Sequence, residues 1–276
     1  MGVITFTLRS AFIIMLHEIL SRQFPAPLAI LSLALLTTGF TPVYEEVELS
    51  QGASITGTIR LAGPPPPPRR YRVSMGAYPE YCKVIANKNG DVEISEVRTS
   101  GDGAIADVVV FFQEIERGKP VTPTGPTLHI DRCQFRPFVN AGRYGQTLQI
   151  HMDDSVLHPI RGWEMLTEGR IPFFEFLNLE KGARETTKLS TKASSIVKIE
   201  CDQHRFMQSW ILVPANPYFT VSDTEGRFLI TDIPPGKQTL GAWHPILGYQ
   251  ETTVTLTPNH RTEILITMRE PIERHP

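Results

Sequence analysis

The sequence carries little net charge, and this limits the partners that it can have. Its 276 residues have a formal charge of −2 at pH 7, and 20% of them are charged. Proteins that bind nucleic acid or anionic membranes through electrostatics present a basic surface. The balanced composition gives no such signal, so we expect no nucleic-acid partner.

The sequence also lacks an apolar run long enough for a membrane-spanning helix, which needs about 20 residues. The run at 26–36 is shorter, with Arg22 before it and Thr37 to Gly39 after it. A basic residue, a short apolar stretch and small residues in this order are typical of a secretory signal peptide. We interpret residues 1–42 as a signal peptide, with an uncleaved anchor as the alternative. We therefore expect a periplasmic or otherwise exported protein of the cell envelope, with no integral membrane span in the mature chain.

After residue 42 there is no helical pattern of convincing length. Instead, many of the 23 prolines and 20 glycines fall between short runs of β-branched and aromatic residues. Runs of this kind lie at 104–112, 146–152 and 195–200, and they are typical of β-strands bounded by turns. The sequence therefore predicts an all-β fold.

Cysteine is scarce, with only three residues in the chain. Export implies an oxidising compartment in which cysteines pair. Cys201 belongs to a candidate metal loop, so Cys82 and Cys133 are left to form a disulfide. Such a bridge closes a loop of roughly 50 residues and stabilises the fold by about 4 kcal/mol in the chain-entropy model. The alternative is that either residue is a buried free thiol.

The candidate metal loop combines three metal-binding side chains within seven residues. Cys201, His204 and Met207 follow a predicted strand, and His158 lies upstream after a turn that begins at Asp153. Two imidazoles, a thiolate and a weak thioether are the ligands of blue-copper electron-transfer sites. We therefore predict a mononuclear copper site formed by these four ligands.

Residues 120–215 resemble the cupredoxins. The spacing of Cys201, His204 and Met207 is similar to the short ligand loop of amicyanin, and the segment ending at His158 resembles the region that presents the first histidine. The resemblance implies a Greek-key β-sandwich, copper as cofactor and single-electron exchange with a redox partner protein. The chain departs from the family at Pro159, where asparagine commonly ties the two ligand loops together, because proline has no N–H to donate. It also has Asp202 where a hydroxyl residue is common.

A second resemblance is to carboxypeptidase regulatory-like domains, which are small transthyretin-like β-sandwiches. It rests on the hairpin-like sequence at 224–240 and on two earlier strand-like segments at 56–59 and 107–111. We therefore expect a discontinuous sandwich made of 52–114 and 217–268, with the cupredoxin-like copper domain at 115–216 inserted into it. Two domains in simple succession are the alternative.

Three functions follow as hypotheses. The first is an exported copper protein that carries electrons and is not an enzyme. The second is a metal-free β-sandwich that serves as a binding or scaffold protein of the cell envelope. A copper enzyme is disfavoured because the sequence has no His-x-His pair for further coppers. His129, His151 and His244 are expected to be structural or surface residues, and the Asp153–Asp154 pair is expected to form a turn.

Overall fold

The computed structural model describes residues 44–270, which lie in one compact unit. The predicted signal peptide, residues 1–42, lies outside the described residues. Within them, strands dominate and the one α-helix, α1, is the single turn Pro79–Cys82, flanked by 3₁₀ turns at Val73–Met75 and Lys83–Ile85. The all-β prediction is confirmed. No helix in the described range is long and apolar enough to cross a membrane.

Twenty strands make up the described part of the chain. They are β1 (Glu45–Glu46), β2 (Ala53–Leu61), β3 (Arg69–Arg72), β4 (Asp91–Ile94), β5 (Val109–Phe112), β6 (Arg117–Gly118), β7 (Thr124–Asp131), β8 (Gln134–Arg136), β9 (Val139–Ala141), β10 (Thr147–Met152), β11 (Ile160–Met165), β12 (Arg170–Phe176), β13 (Arg184–Lys188), β14 (Ile196–Cys201), β15 (Gln208–Leu212), β16 (Phe219–Val221), β17 (Arg227–Ile233), β18 (Gly236–His244), β19 (Gly248–Leu256) and β20 (Arg261–Met268).

Strands β7 to β15 form a sandwich of two sheets. One sheet has the order β13-β10-β7-β8 and the other β12-β11-β14-β15-β9. Residues alternate between buried and partly exposed along β10 and β14, as expected for strands with one face on the core. Leu128, Ile150 and Ile199 are fully buried between the two sheets. The candidate ligands lie at one end of this sandwich.

A second core is built from segments on either side of the first sandwich in the sequence. Its sheets have the orders β16-β5-β18-β19 and β17-β2-β20. Ile55, Phe112, Ile230 and Leu240 pack between them. The division into an inserted and a surrounding domain stays a prediction.

The chain between β2 and β5 is more ordered than its irregular sequence suggests. Strands β3 and β4 pair antiparallel, and ion pairs join Arg70 to Glu93 and Arg72 to Asp91 at 3.2 and 3.0 Å. Arg70 and Arg72 of β3 are therefore engaged in ion pairs within the chain. Val73 and Val92 turn inward and pack with the core next to the candidate ligands.

One predicted strand is shorter than its apolar run. The run at 104–112 is a strand only over β5, because Asp107 adopts a φ of 65° and forms an ion pair with Arg98. The stretch 136–139 is divided between two sheets, because β8 ends at Arg136 and pairs with β7, whereas β9 begins at Val139 and pairs with β15.

His244 is fully buried between the two cores, and this makes stability depend on pH. Its Nδ1 accepts hydrogen bonds from the N–H groups of Ile246 and Leu247 at 3.2 and 3.4 Å. Burial, with the nearby Arg98 charge, lowers the pKa of His244 from 6.5 to about 3. The unfolded chain therefore binds a proton between these pH values that the folded chain does not.

We expect the free energy of unfolding to be highest above pH 6.5 and to fall as the pH drops toward 3. The slope from His244 is about 1.4 kcal/mol per pH unit, or about 2 kcal/mol between pH 6.5 and 5. Urea unfolding of the natural protein and of His244→Gln at pH 7 and pH 5 measures this contribution. The exposed His260, changed to Gln, is the control. Equal pH dependence in all three proteins would contradict the assignment.

Candidate metal centre

Strand pairing brings the two predicted ligand segments together. Ile160, at the start of β11, is the register partner of Cys201, at the end of β14. His158 lies two residues before Ile160 in the sequence. The segments are also joined by the N–H of Asp202, which donates to the carbonyl of Pro159 at 3.0 Å. The nitrogen of Pro159 cannot donate a hydrogen bond, but its carbonyl accepts the bond that joins the two ligand loops.

The ligand loop after Cys201 is closed by its own backbone. The N–H of Cys201 donates to the carbonyl of Met207 at 3.2 Å, and the N–H of Met207 donates to the carbonyl of His204 at 2.9 Å. These bonds make a compact turn between β14 and β15. Met207 is 1% exposed and belongs to the same buried cluster as Cys201.

Three of the predicted ligands converge on one point. Nδ1 of His158 lies 3.3 Å from Nδ1 of His204. Sγ of Cys201 lies 3.5 Å from Nδ1 of His204 and 3.9 Å from Nδ1 of His158. Nitrogen and sulfur ligands at ordinary bond lengths from one ion stand about 3.3 to 3.8 Å apart. The triangle therefore has the dimensions of a single metal-ion site.

The outer nitrogens of both histidines are already occupied. Nε2 of His158 donates to Oδ2 of Asp154 at 2.9 Å, and Nε2 of His204 donates to the carbonyl of Ala77 at 2.7 Å. Each neutral ring then carries its proton on Nε2, which leaves both Nδ1 lone pairs directed toward Cys201. Two such lone pairs 3.3 Å apart repel each other unless a positive charge lies between them. The donor set fits a soft metal cation.

The protonation of the site favours metal uptake coupled to proton release. Burial raises the pKa of the Cys201 thiol and lowers the pKa of His204. The thiolate is the form that binds a metal, so a metal ion must displace the thiol proton. The lowered pKa of His204 favours its neutral ring, which is the form that acts as a ligand.

Asp154 is the residue that the sequence pattern missed. It is 1% exposed and accepts hydrogen bonds from the N–H of Cys133 at 2.7 Å and the hydroxyl of Tyr81 at 3.0 Å, besides that from His158. Burial by itself would raise the pKa of Asp154, but these bonds outweigh it and hold the pKa below its usual value. The only signal was its position four residues before His158, since adjacent aspartates are ordinary turn residues.

The structure contains the Cys82–Cys133 disulfide, with an S–S distance of 2.04 Å. The disulfide lies next to His204 and next to Asp154, the hydrogen-bond partner of His158. Sγ of Cys82 is 3.5 Å from Nε2 of His204, while the backbone of Cys133 donates to Asp154. Cys133, Asp154 and His158 also lie close enough to suggest a second ligand set. The sulfur of Cys133 is bonded to Cys82, however, so it is not available as a thiolate.

Comparisons with known proteins give partial structural matches. No protein-family model matches the chain, and no curated protein does. A purple cupredoxin from Nitrosopumilus maritimus is 20% identical, and the match covers 32% of this chain and 98% of that one at a TM-score of 0.27. Amicyanin from Paracoccus versutus is 15% identical over 34% of this chain and 84% of its own, with a TM-score of 0.27.

A copper-containing nitrite reductase from Thermus scotoductus SA-01 is also similar to part of the chain. It is 20% identical over 34% of this chain, at a TM-score of 0.28, and the match covers 23% of the reductase. Identities and scores this low do not assign the chain to a family.

Proposed function

We propose that this protein binds one copper ion through His158, Cys201 and His204, with Met207 as a weak fourth ligand, and that it carries single electrons. The observation that supports this is the triangle of Nδ1, Nδ1 and Sγ atoms, with sides of 3.3 to 3.9 Å. Bound copper would supply one-electron chemistry by alternating between Cu(I) and Cu(II). Two imidazoles with a thiolate and a thioether are the donors typical of electron-transfer copper.

The surroundings of the ligands suit this role. All four side chains are at most 5% exposed, so water has little access to them. Asp154 and the carbonyl of Ala77 fix the orientation of the two imidazole rings. Ligands held in this way change position little when the charge of the ion changes, which favours fast electron exchange.

The cellular setting is part of the same proposal. We infer an exported protein of the cell envelope, because a disulfide persists in an oxidising compartment. It would exchange electrons with a redox partner protein and would not itself catalyse a reaction. We also propose that 115–216 is a cupredoxin-like domain inserted into a carboxypeptidase regulatory-like sandwich, with two buried clusters as the support.

The test is copper titration of the purified mature protein. We expect one equivalent of Cu(II) to produce an intense visible band from thiolate-to-copper charge transfer, together with release of the thiol proton. Cys201→Ser removes the thiolate, so we expect it to abolish the band. His260→Gln, an exposed change, should leave it intact. A colourless protein without stoichiometric copper uptake would refute the proposal and favour the metal-free scaffold.

A further inference from the structure

The segment 73–85 covers one side of the candidate metal centre, and we call it the cap. It belongs to the loop that joins β3 to β4, and the N–H of Val73 donates to the carbonyl of Gly90 at 3.1 Å where this loop begins and ends. Its regular structure is limited to α1 and the two 3₁₀ turns, whose hydrogen bonds stay within the loop. These bonds shape the cap, so its attachment to the metal centre depends on other contacts.

The cap lies directly on the ring of His204. The carbonyl of Ala77 accepts a hydrogen bond from Nε2 of the ring at 2.7 Å. A Cβ atom at Gly76 would lie 3.0 Å from Cδ2 of the same ring, so the backbone approaches it more closely than a larger residue would allow. On its other side the ring directs Nδ1 to Sγ of Cys201 at 3.5 Å. The imidazole of His204 is therefore the layer between the cap and the thiol.

Two further attachments join the cap to the sandwich that carries the ligands. The hydroxyl of Tyr81 donates to Oδ1 of Asp154 at 3.0 Å and accepts from the N–H of Ser155 at 3.2 Å. The second attachment is covalent, because Cys82 is bonded to Cys133 in the turn between β7 and β8. A hydrogen bond can be exchanged for one to water, whereas a disulfide opens only by thiol–disulfide chemistry.

The covalent attachment lies at the point where the cap meets the ring. Sγ of Cys82 is 3.5 Å from Nε2 of His204, the nitrogen that the carbonyl of Ala77 holds. Both Cys82 and Cys133 are fully buried, and His204 is 1% exposed. Loss of the bridge would therefore free the cap at its contact with the ligand, and not at a distant position.

We propose that the cap controls access to the metal centre and that the Cys82–Cys133 disulfide locks it closed. A dithiol opens the lock by passing two electrons and two protons to the two cysteines, and the dithiol itself becomes a disulfide. The cap then moves away about β3 and β4, which stay paired, and the ring of His204 meets solvent. Oxidation of the two thiols by a disulfide donor reverses the step, so metal uptake precedes closure of the bridge.

This inference deepens the proposed copper function, on which its account of metal uptake rests, but the movement of the cap can be measured without metal. The chain has three cysteines, so Cys201 is the single free thiol when the other two are paired. The test is the rate at which iodoacetamide alkylates Cys201 in the metal-free protein. We expect Cys82→Ala/Cys133→Ala to react about tenfold faster or more than the natural protein, because a local opening then needs less free energy.

The dependence on urea separates this opening from unfolding of the whole chain. Movement of the cap exposes little surface, so the alkylation rate of the double variant should rise only weakly with low concentrations of urea. Global unfolding exposes the core, and its equilibrium constant rises steeply with urea. The same solutions supply the steep reference slope from urea unfolding.

A second variant opens the cap while the disulfide stays intact. The φ of Gly76 is −99°, which valine also adopts, but the valine side chain would collide with the ring of His204. We therefore expect Gly76→Val to speed alkylation of Cys201. Gly101→Val is the matched control, because a Cβ atom at Gly101 would have no heavy atom within 4 Å, and it should leave the rate unchanged.

Equal alkylation rates in the natural protein and the double variant would overturn the proposal. A rate in the double variant that follows urea as steeply as global unfolding would do the same, since the disulfide would then only stabilise the fold. Copper titration of the same proteins distinguishes the two proposals. Fast alkylation without copper uptake would refute the copper function and support the cap, whereas copper uptake with equal alkylation rates would refute the cap alone.

Discussion

Replacing Asp154 with alanine is expected to destabilise the fold by about 3 to 5 kcal/mol, because its carboxylate pairs several buried donors at once. The change leaves the N–H of Cys133, the hydroxyl of Tyr81 and Nε2–H of His158 without their acceptor. Each unpaired buried donor costs about 1 to 3 kcal/mol. Urea unfolding of the metal-free protein measures the loss directly.

The same substitution is expected to weaken metal binding. Asp154 fixes the proton of His158 on Nε2 and so keeps Nδ1 free for the ion. Removing such a carboxylate partner lowers metal affinity by about 10- to 100-fold. Competition with a chelator of known affinity measures the effect, and a metal-binding loss without a loss of stability would separate the two roles.

Asp153→Ala is the matched control for stability. Asp153 is the neighbouring carboxylate, but its side chain is 38% exposed and its partners are the surface residues His129 and Arg184. Exposed ion pairs contribute about 0 to 1 kcal/mol. If Asp154→Ala cost no more than Asp153→Ala, the buried network would have no special role.

Much of the candidate site follows from sequence spacing. Cys201, His204 and Met207 fall in one turn after a strand, so their proximity is local and needs no knowledge of the tertiary fold. The runs of β-branched and aromatic residues at 146–152 and 195–200 predicted β10 and β14, the strands that carry the two ligand segments. The convergence of His158 on this loop required a resemblance to known folds, because 43 residues separate His158 from Cys201.

The supporting interactions could not be read from the sequence. Ala77 acts through its backbone carbonyl, and any residue type offers that group. The bond from Asp202 to Pro159 depends on the register of β11 with β14, which no local pattern specifies. The local composition around Asp154 predicts a turn, whereas tertiary packing buries its side chain. In each case the tertiary fold decides the role.

The short strands β3 and β4 were missed for a related reason. Each has only four residues, too few for a clear alternation of polar and apolar positions. Their pairing is supported by ion pairs between arginines of β3 and acids of β4 that lie some twenty residues away.

Replacing both Cys82 and Cys133 with alanine is expected to lower the free energy of unfolding by about 4 kcal/mol. The bridge spans 51 residues, and a cross-link over a loop of that length restricts the unfolded chain by about this amount. Both sulfurs are fully buried, so the variant also loses packing in the core. Urea unfolding of the metal-free protein gives the magnitude.

The disulfide variant should also loosen one side of the metal centre. Cys82 anchors the segment that places the carbonyl of Ala77 on Nε2 of His204, and Asp154 remains in place on the other histidine. We therefore expect faster hydrogen exchange of the His204 Nε2–H than of the His158 Nε2–H, measured by imidazole NMR. Equal exchange rates at the two rings would show that the disulfide stabilises the fold without positioning His204. A selective change at His204 would show that the bridge is part of the support that keeps its Nδ1 directed at the ion.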